Sequence, residues 1–317
     1  MAVEDRPPVL LACQEESERQ LELMRRVANE MFHEQSTYLI GVNGSVARRE
    51  CTSGSDVDLF FLTDGEVSPE KAAVAQEEYR RRLIDEDLVM PAQGGVFETP
   101  LNAEELISTI GGDDDTNLYI TRRMLFLLEG EWTYNKPLFQ RTRSRLIERY
   151  VTEDLASKKL CLFLLNDVIR YWRTICVDFE HKTAEANKPR AIRLIKLRFS
   201  RMLLYLGGVA AVGQAGGLDV KAKRERLEEL FSMPTIERLE HVFGTAFAKP
   251  LQRYAFFLQQ LDDSTIRDEL NLVGDEGMQS ASYKKMSDKA REFKDELLDL
   301  LTTHFGADHD VIKALLL

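Results

Sequence analysis

Two aspartates two residues apart, Asp56 and Asp58, head an apolar run, Leu59–Leu62, and a Gly-Ser pair, Gly44-Ser45, closes an earlier apolar run, Tyr38–Val42. Alternate side chains of a strand leave the same face, so the spacing predicts both carboxylates on one side. Like charges that close repel unless a counter-ion sits among them. A hard divalent cation such as Mg²⁺ meets that need, because it takes oxygen ligands and shares them with substrate phosphates. A glycine after a strand lets the backbone approach an anion closely. The stretch Tyr38–Leu62 thus reads as a phosphate cradle beside a carboxylate pair.

The rest of the chain must position that stretch. An amphipathic helix is expected over about Glu15–Glu34, with Leu21, Met24, Val27, Ala28, Met31 and Phe32 at helical spacing, after an extended arm over residues 1–12 that contains Pro7-Pro8. Ser68-Pro69-Glu70 has the form of a helix start and predicts a second helix to about Ile84. Gly94-Gly95 and Pro100 bracket a short strand expected at Val96–Thr99, and Asn102 is placed to cap a helix over Ala103–Ile110. Thr121-Arg122-Arg123, at the start of an apolar helix, is either a solvated pair or a phosphate clamp. Beyond Pro137 strand signals fade. Helices are expected at Leu138–Tyr150, Ala156–Phe179, Arg190–Gly207, Lys221–Phe231, Glu237–Leu261 and Tyr283–His304, with a long loop at 262–282 and glycines 207–208 and 213–217 as punctuation. The expected class is α+β: a small mixed sheet with flanking helices over residues 1–137, then an all-α domain over 138–317.

Composition narrows the function classes. The 317 residues suffice for two ordinary domains, and 44% hydrophobic with 30% charged residues describes a globular chain. A net charge of −11 argues against a general nucleic-acid binder, but Arg141–Arg201 carries 15 Lys and Arg against 7 Asp and Glu. Such a basic segment in an acidic chain suggests a focused site for a polyanion. The four cysteines stand far apart with no CxxC spacing, so neither zinc nor a disulfide framework is expected and a cytoplasmic setting is. No run approaches the roughly 20 apolar residues of a membrane helix, and no membrane partner is expected.

Gly-Ser, ten residues, then Asp-x-Asp on an apolar strand resembles the signature of the DNA polymerase β nucleotidyltransferase superfamily. The stretch ARRECTSGSD is similar to the form in the branch related to bacterial PII uridylyltransferase. The runs GGDDDTNLYITRRMLFLLE, RYWRTICVDFEHKT and RLIKLRFSRMLLY also resemble bacterial proteins of that branch. The resemblance implies an enzyme moving an NMP from an NTP to a hydroxyl or phosphate acceptor, with pyrophosphate released. Gly44 and Ser45 would hold the β- and γ-phosphates, with Ser55 nearby, and Asp56 and Asp58 would bind two Mg²⁺ ions, or Mn²⁺ in their place. Arg48 or Arg49 would neutralise triphosphate charge. A third carboxylate would complete the metal site; Glu98 is the first choice, with Asp85 and Asp87 as alternatives.

In the helical half, Arg190 and Arg193 lie opposite an apolar stripe, and Arg170, Arg173 and Lys182 add charge from the preceding aromatic-rich helix. These are expected to contact the triphosphate or an anionic acceptor. A protein or an RNA such as tRNA fits as the acceptor. A non-catalytic nucleotide-sensing module is the competing expectation.

Overall fold

Leu39–Val42 and Leu59–Leu62 are apolar at consecutive positions rather than alternate ones, which is how strands covered on both faces read. A computed structural model describes residues 6–33, 37–91, 95–156, 159–184 and 188–315, and in it both runs lie at the centre of a four-stranded mixed sheet. Strand β1 (Tyr38–Asn43) pairs antiparallel with β2 (Asp58–Thr63) and with β4 (Glu131–Tyr134), while β2 pairs in parallel with β3 (Leu101–Asn102). The strand order is β3-β2-β1-β4. The chain is therefore α and β, mostly helical, with one small mixed sheet.

Two compact units divide it: Ala12–Cys51 with Ser55–Thr152, and Met1–Leu11 with Thr52–Gly54 and Glu153–Leu317. The first holds the sheet. Its helix α1 (Pro8–Phe32) begins earlier than the periodicity implies, with Pro8 at the first helical position, where its missing N–H costs nothing, so residues 8–12 are helix rather than an extended arm. Leu21, Met24, Val27, Ala28 and Phe32 of α1 pack on Tyr38, Ile40, Val42, Leu59 and Phe61, and Tyr79 and Leu83 of α3 (Pro69–Asp85) close that side. On the opposite face Phe60 meets Phe97, Phe126 and Phe139 at ring separations of 5.6, 5.5 and 6.3 Å. The one-turn helix α2 (Gly44–Ala47) lies between β1 and β2, and α4 (Ala103–Ser108), α5 (Asn117–Leu128) and α6 (Lys136–Tyr150) complete the unit.

Arg122 and Arg123 prove to be neither a solvated pair nor a clamp. Arg123 is fully buried, with twin 3.0 Å bonds to Asp115 and one of 2.8 Å to the Tyr150 hydroxyl. Arg122 donates to the Val96 carbonyl at 2.6 Å. An apolar helix flanked by a polar loop explains this: its arginines satisfy the loop's carbonyls and carboxylate.

Among the described residues the second unit has no strand. Its helices are α7 (Leu162–Ala184), α8 (Arg190–Lys196), α9 (Met202–Ala215), α10 (Val220–Ser232), α11 (Thr235–Phe243), α12 (Ala248–Asp262), α13 (Ser264–Leu270), α14 (Ala281–Phe305) and α15 (Asp310–Ala314). A π-helical turn, Leu197–Arg201, joins α8 to α9, and its Phe199 stacks on Phe257 and Phe293 at 4.7 and 5.1 Å. Glycines 207, 208 and 213 lie inside α9 rather than between helices. A Cβ at 207 would meet Thr235 and Arg238 at 3.3 Å, so close helix approach explains that residue. The stretch 262–282 is not a plain loop, because Asp263 caps α13 by accepting from Ile266 N–H at 3.2 Å. No described helix is long and apolar enough to cross a membrane.

Candidate functional site

The β1–β2 ladder ends on the pair Asn43 and Asp58. The next residue, Gly44, turns the chain out of the sheet with φ +75°, a left-handed conformation that favours glycine, and opens α2. Space imposes the same choice. A Cβ on Gly44 would stand 2.6 Å from Oδ2 of Asp58. The Gly-Ser turn and the second aspartate of the motif thus lie side by side, the Asp58 carboxylate filling the space that a side chain at position 44 would need.

A buried ion cluster supports the turn from below. Gly44 N–H donates to Glu129 Oε1 at 3.1 Å, and Arg48 donates to the other oxygen of Glu129 and, at 2.8 Å, to Glu50. Arg48, Glu50 and Glu129 are all buried. Arg49, also left-handed at φ 63°, donates to Glu18 at 2.7 Å and to Glu131 at 3.1 Å. Burial works against its charge, but Glu131 and Glu18 outweigh burial and raise its pKa. Both arginines expected to meet a triphosphate thus give donors to carboxylates that brace the turn. Sequence reading overlooked Glu129 and Glu131. The signal available was a pair of carboxylates, EGE, closing the apolar run MLFLL.

Ser45 is half-buried on α2, and its hydroxyl contacts the Cys51 thiol, whose pKa is raised by burial, partly opposed by Ser17 and Ser45. Asp58 is half-buried and begins β2, whereas Asp56 is exposed and precedes it. The strand pairing expected to include Asp56 stops short because β1 leaves the sheet at Gly44, so no partner strand remains there. Instead Val57, buried in the α1-side core, donates its N–H to the Val89 carbonyl at 2.9 Å. Ser55 is half-buried beside Asp56.

The third carboxylate does not stand where the sequence suggests. Val96–Thr99 forms a turn closed by Glu98 N–H to the Gly95 carbonyl at 3.1 Å, and the strand begins only after Pro100. Phe97 points into the core and leaves Glu98 exposed. Asp85 ends α3 in an ion pair with Arg81 at 3.1 Å, and Asp87 is exposed at φ 65°. Among the described residues no three His, Cys, Asp or Glu side chains gather as a metal site would require. Asp58, at the end of the ladder, and Asp56, two residues before it, are oxygen donors of the kind a hard cation takes.

The cations read from the helical half lie in the second unit. Arg170 is half-buried and Arg173 exposed on α7, three residues apart and so on one helix face. Lys182 pairs with Asp178 at 2.8 Å. Arg190 bonds to Glu180 at 3.0 Å and Thr183 at 3.2 Å with its guanidinium over Phe179, and Arg193 is half-buried on α8.

No model of a known protein family matches the chain, and no curated protein matches it.

Proposed function

We propose that the chain is a Mg²⁺-dependent nucleotidyltransferase that moves an NMP from an NTP to a hydroxyl or phosphate acceptor and releases pyrophosphate. The observation carrying this reading is the contact of Gly44 with Asp58: a left-handed glycine after a strand, pressed on a carboxylate at the head of the neighbouring antiparallel strand. Here Ser45, on the first turn of α2, would bind phosphate oxygens, while Asp58 and Asp56 would hold the cation. Mg²⁺ bound there would neutralise charge on the triphosphate and the departing pyrophosphate. The acceptor oxygen bonds to the α-phosphorus as the α–β bridging bond breaks, pyrophosphate leaves with that electron pair, and the acceptor's proton passes to a carboxylate. The sheet unit would be catalytic. The helical unit, through the stretch 153–201 with 11 Lys and Arg against 6 Asp and Glu, would bind an anionic partner, for which RNA and an acidic protein are the two candidates.

Incubation with each α-labelled NTP, Mg²⁺ or Mn²⁺ and cell lysate tests this. Label should enter an acceptor fraction, and Asp56→Asn or Asp58→Asn should abolish incorporation while the thermal melt stays cooperative. Full activity in either variant refutes the assignment. RNA as the acceptor would show as steep weakening with salt.

A second reading, nucleotide sensing without catalysis, is favoured by two observations: the Gly44 N–H is taken by Glu129, and Glu98 stands in an exposed turn. Calorimetry would then give NTP binding with no pyrophosphate release over hours. Any turnover, self-modification included, removes it.

A further inference from the structure

Asn43 is the last residue of β1 and lies directly across the ladder from Asp58. Residues so paired project from the same face with Cβ atoms about 5 Å apart. Its side chain is only 2% exposed, and its Oδ1 is buried without a hydrogen-bond partner. An asparagine before a helix ordinarily uses that oxygen to cap it, yet Asn43 makes no such bond to α2. A buried carbonyl left unpaired lowers stability, so its retention calls for an explanation in function.

We propose that the Asn43 amide oxygen is the third protein ligand of the cation held by Asp58 and Asp56, the part that sequence spacing gives to Glu98. The inference rests on the nucleotidyltransferase reading of that site. Hard cations accept amide carbonyl oxygens alongside carboxylates. Glu98, exposed in its turn, has no comparable relationship to Asp58.

Mn²⁺ binding to the full chain, followed by the paramagnetic signal of the free ion and by thermal melting, tests it without reference to activity. Asn43→Leu should weaken Mn²⁺ binding about 10- to 100-fold, yet melt at or above the wild-type temperature without Mn²⁺, because it removes an unpaired polar atom. Asn43→Asp should bind Mn²⁺ at least as tightly as wild type, melt lower without it, and recover when it is added. Glu98→Gln should bind as wild type. Should Asn43→Leu fail to fold, Asn43→Ser, too short to reach the cation, must show the same loss. Wild-type Mn²⁺ affinity in the folded Asn43 variants, or a loss in Glu98→Gln as large as in Asp58→Asn, overturns the assignment. If Asp58→Asn itself leaves Mn²⁺ affinity unchanged, or wild type binds none, the cation site falls and the catalytic reading with it. Loss in Asp58→Asn with none in Asn43→Leu removes only the role of Asn43.

Discussion

Gly44 and Asp58 stand together at the end of an antiparallel ladder, and a methyl group at position 44 would come within 2.6 Å of Asp58 Oδ2. Gly44→Ala therefore meets two penalties, the clash and a left-handed φ of +75°. Strain of that kind costs of order 1–3 kcal/mol. Urea denaturation should find Gly44→Ala destabilised by that amount and inactive. Adding Asp58→Ala should return part of the stability, since the clash then has no second party. Full additivity of the two changes would mean that the contact carries no energy.

Arg48 is the counter-charge for two buried carboxylates. Arg48→Ala leaves Glu50 and Glu129 buried together without it. Removing one partner of a buried ion pair costs about 3–5 kcal/mol, and the Gly-Ser turn should suffer as well, because Glu129 also holds the Gly44 amide. Glu129→Gln can still accept from Gly44 and should cost less. A double-mutant cycle between positions 48 and 129 should give a coupling energy of at least about 1 kcal/mol. Independent effects would contradict a shared network.

Stability should fall on the alkaline side. Burial pushes up the pKa of the Cys51 thiol and the Cys161 thiol, and pushes that of the Tyr79 phenol, which is fully buried, higher still. In the unfolded chain these groups ionise near about 8.5 and about 10. Above those values the unfolded state releases protons that the folded state keeps, so unfolding becomes easier as pH rises. Below them both states are protonated and the groups contribute no slope. Urea titrations at a series of pH values should show stability level to about pH 8 and declining above it. Cys51→Ala should flatten the first part of the decline and Tyr79→Phe the later part. An alkaline limb unchanged in both variants would contradict the burial of these groups.

What could be read in advance follows from how local each signal is. Strands β1 and β2 were legible because Leu39–Val42 and Leu59–Leu62 are apolar whatever they pack on. The starts of α3 and α4 were legible because Ser68 and Asn102 bond to amides within three residues, Lys71 and Glu104. Misreadings arose where a distant residue decides. Val96–Thr99 has strand composition, but Phe97 is claimed by Phe60 and the backbone turns at Gly95. Arg48 and Arg49 have the chemistry of phosphate ligands, yet Glu129 and Glu131, some eighty residues on, take their donors. Asn43 carries no signal in the sequence, because only the burial of its oxygen without a partner sets it apart. The motif itself was visible; the residues that tension it were not.

The loop inside the motif gives the last prediction. Thr52–Gly54, between the Gly-Ser turn and Asp56, belongs to the helical unit. Ser53 N–H donates to Asp262 Oδ1 at 2.9 Å, and Arg267 donates to Thr52 Oγ1 at 3.0 Å and Ser53 Oγ at 3.4 Å. Gly54 makes room for this clamp, because a Cβ there would overlap Arg267 Nη1 at 1.8 Å. The guanidinium is the flexible party, so Gly54→Ala should push it aside rather than distort the backbone, forfeiting the two side-chain bonds at about 1 kcal/mol each. Arg267→Ala forfeits the same bonds directly. The two substitutions should therefore not add: in an Arg267→Ala background, Gly54→Ala should be nearly neutral by urea denaturation. Hydrogen exchange at residues 52–54 should accelerate equally in both single variants. Exchange unaltered by Arg267→Ala would mean that something other than this arginine holds the loop that leads into Asp56.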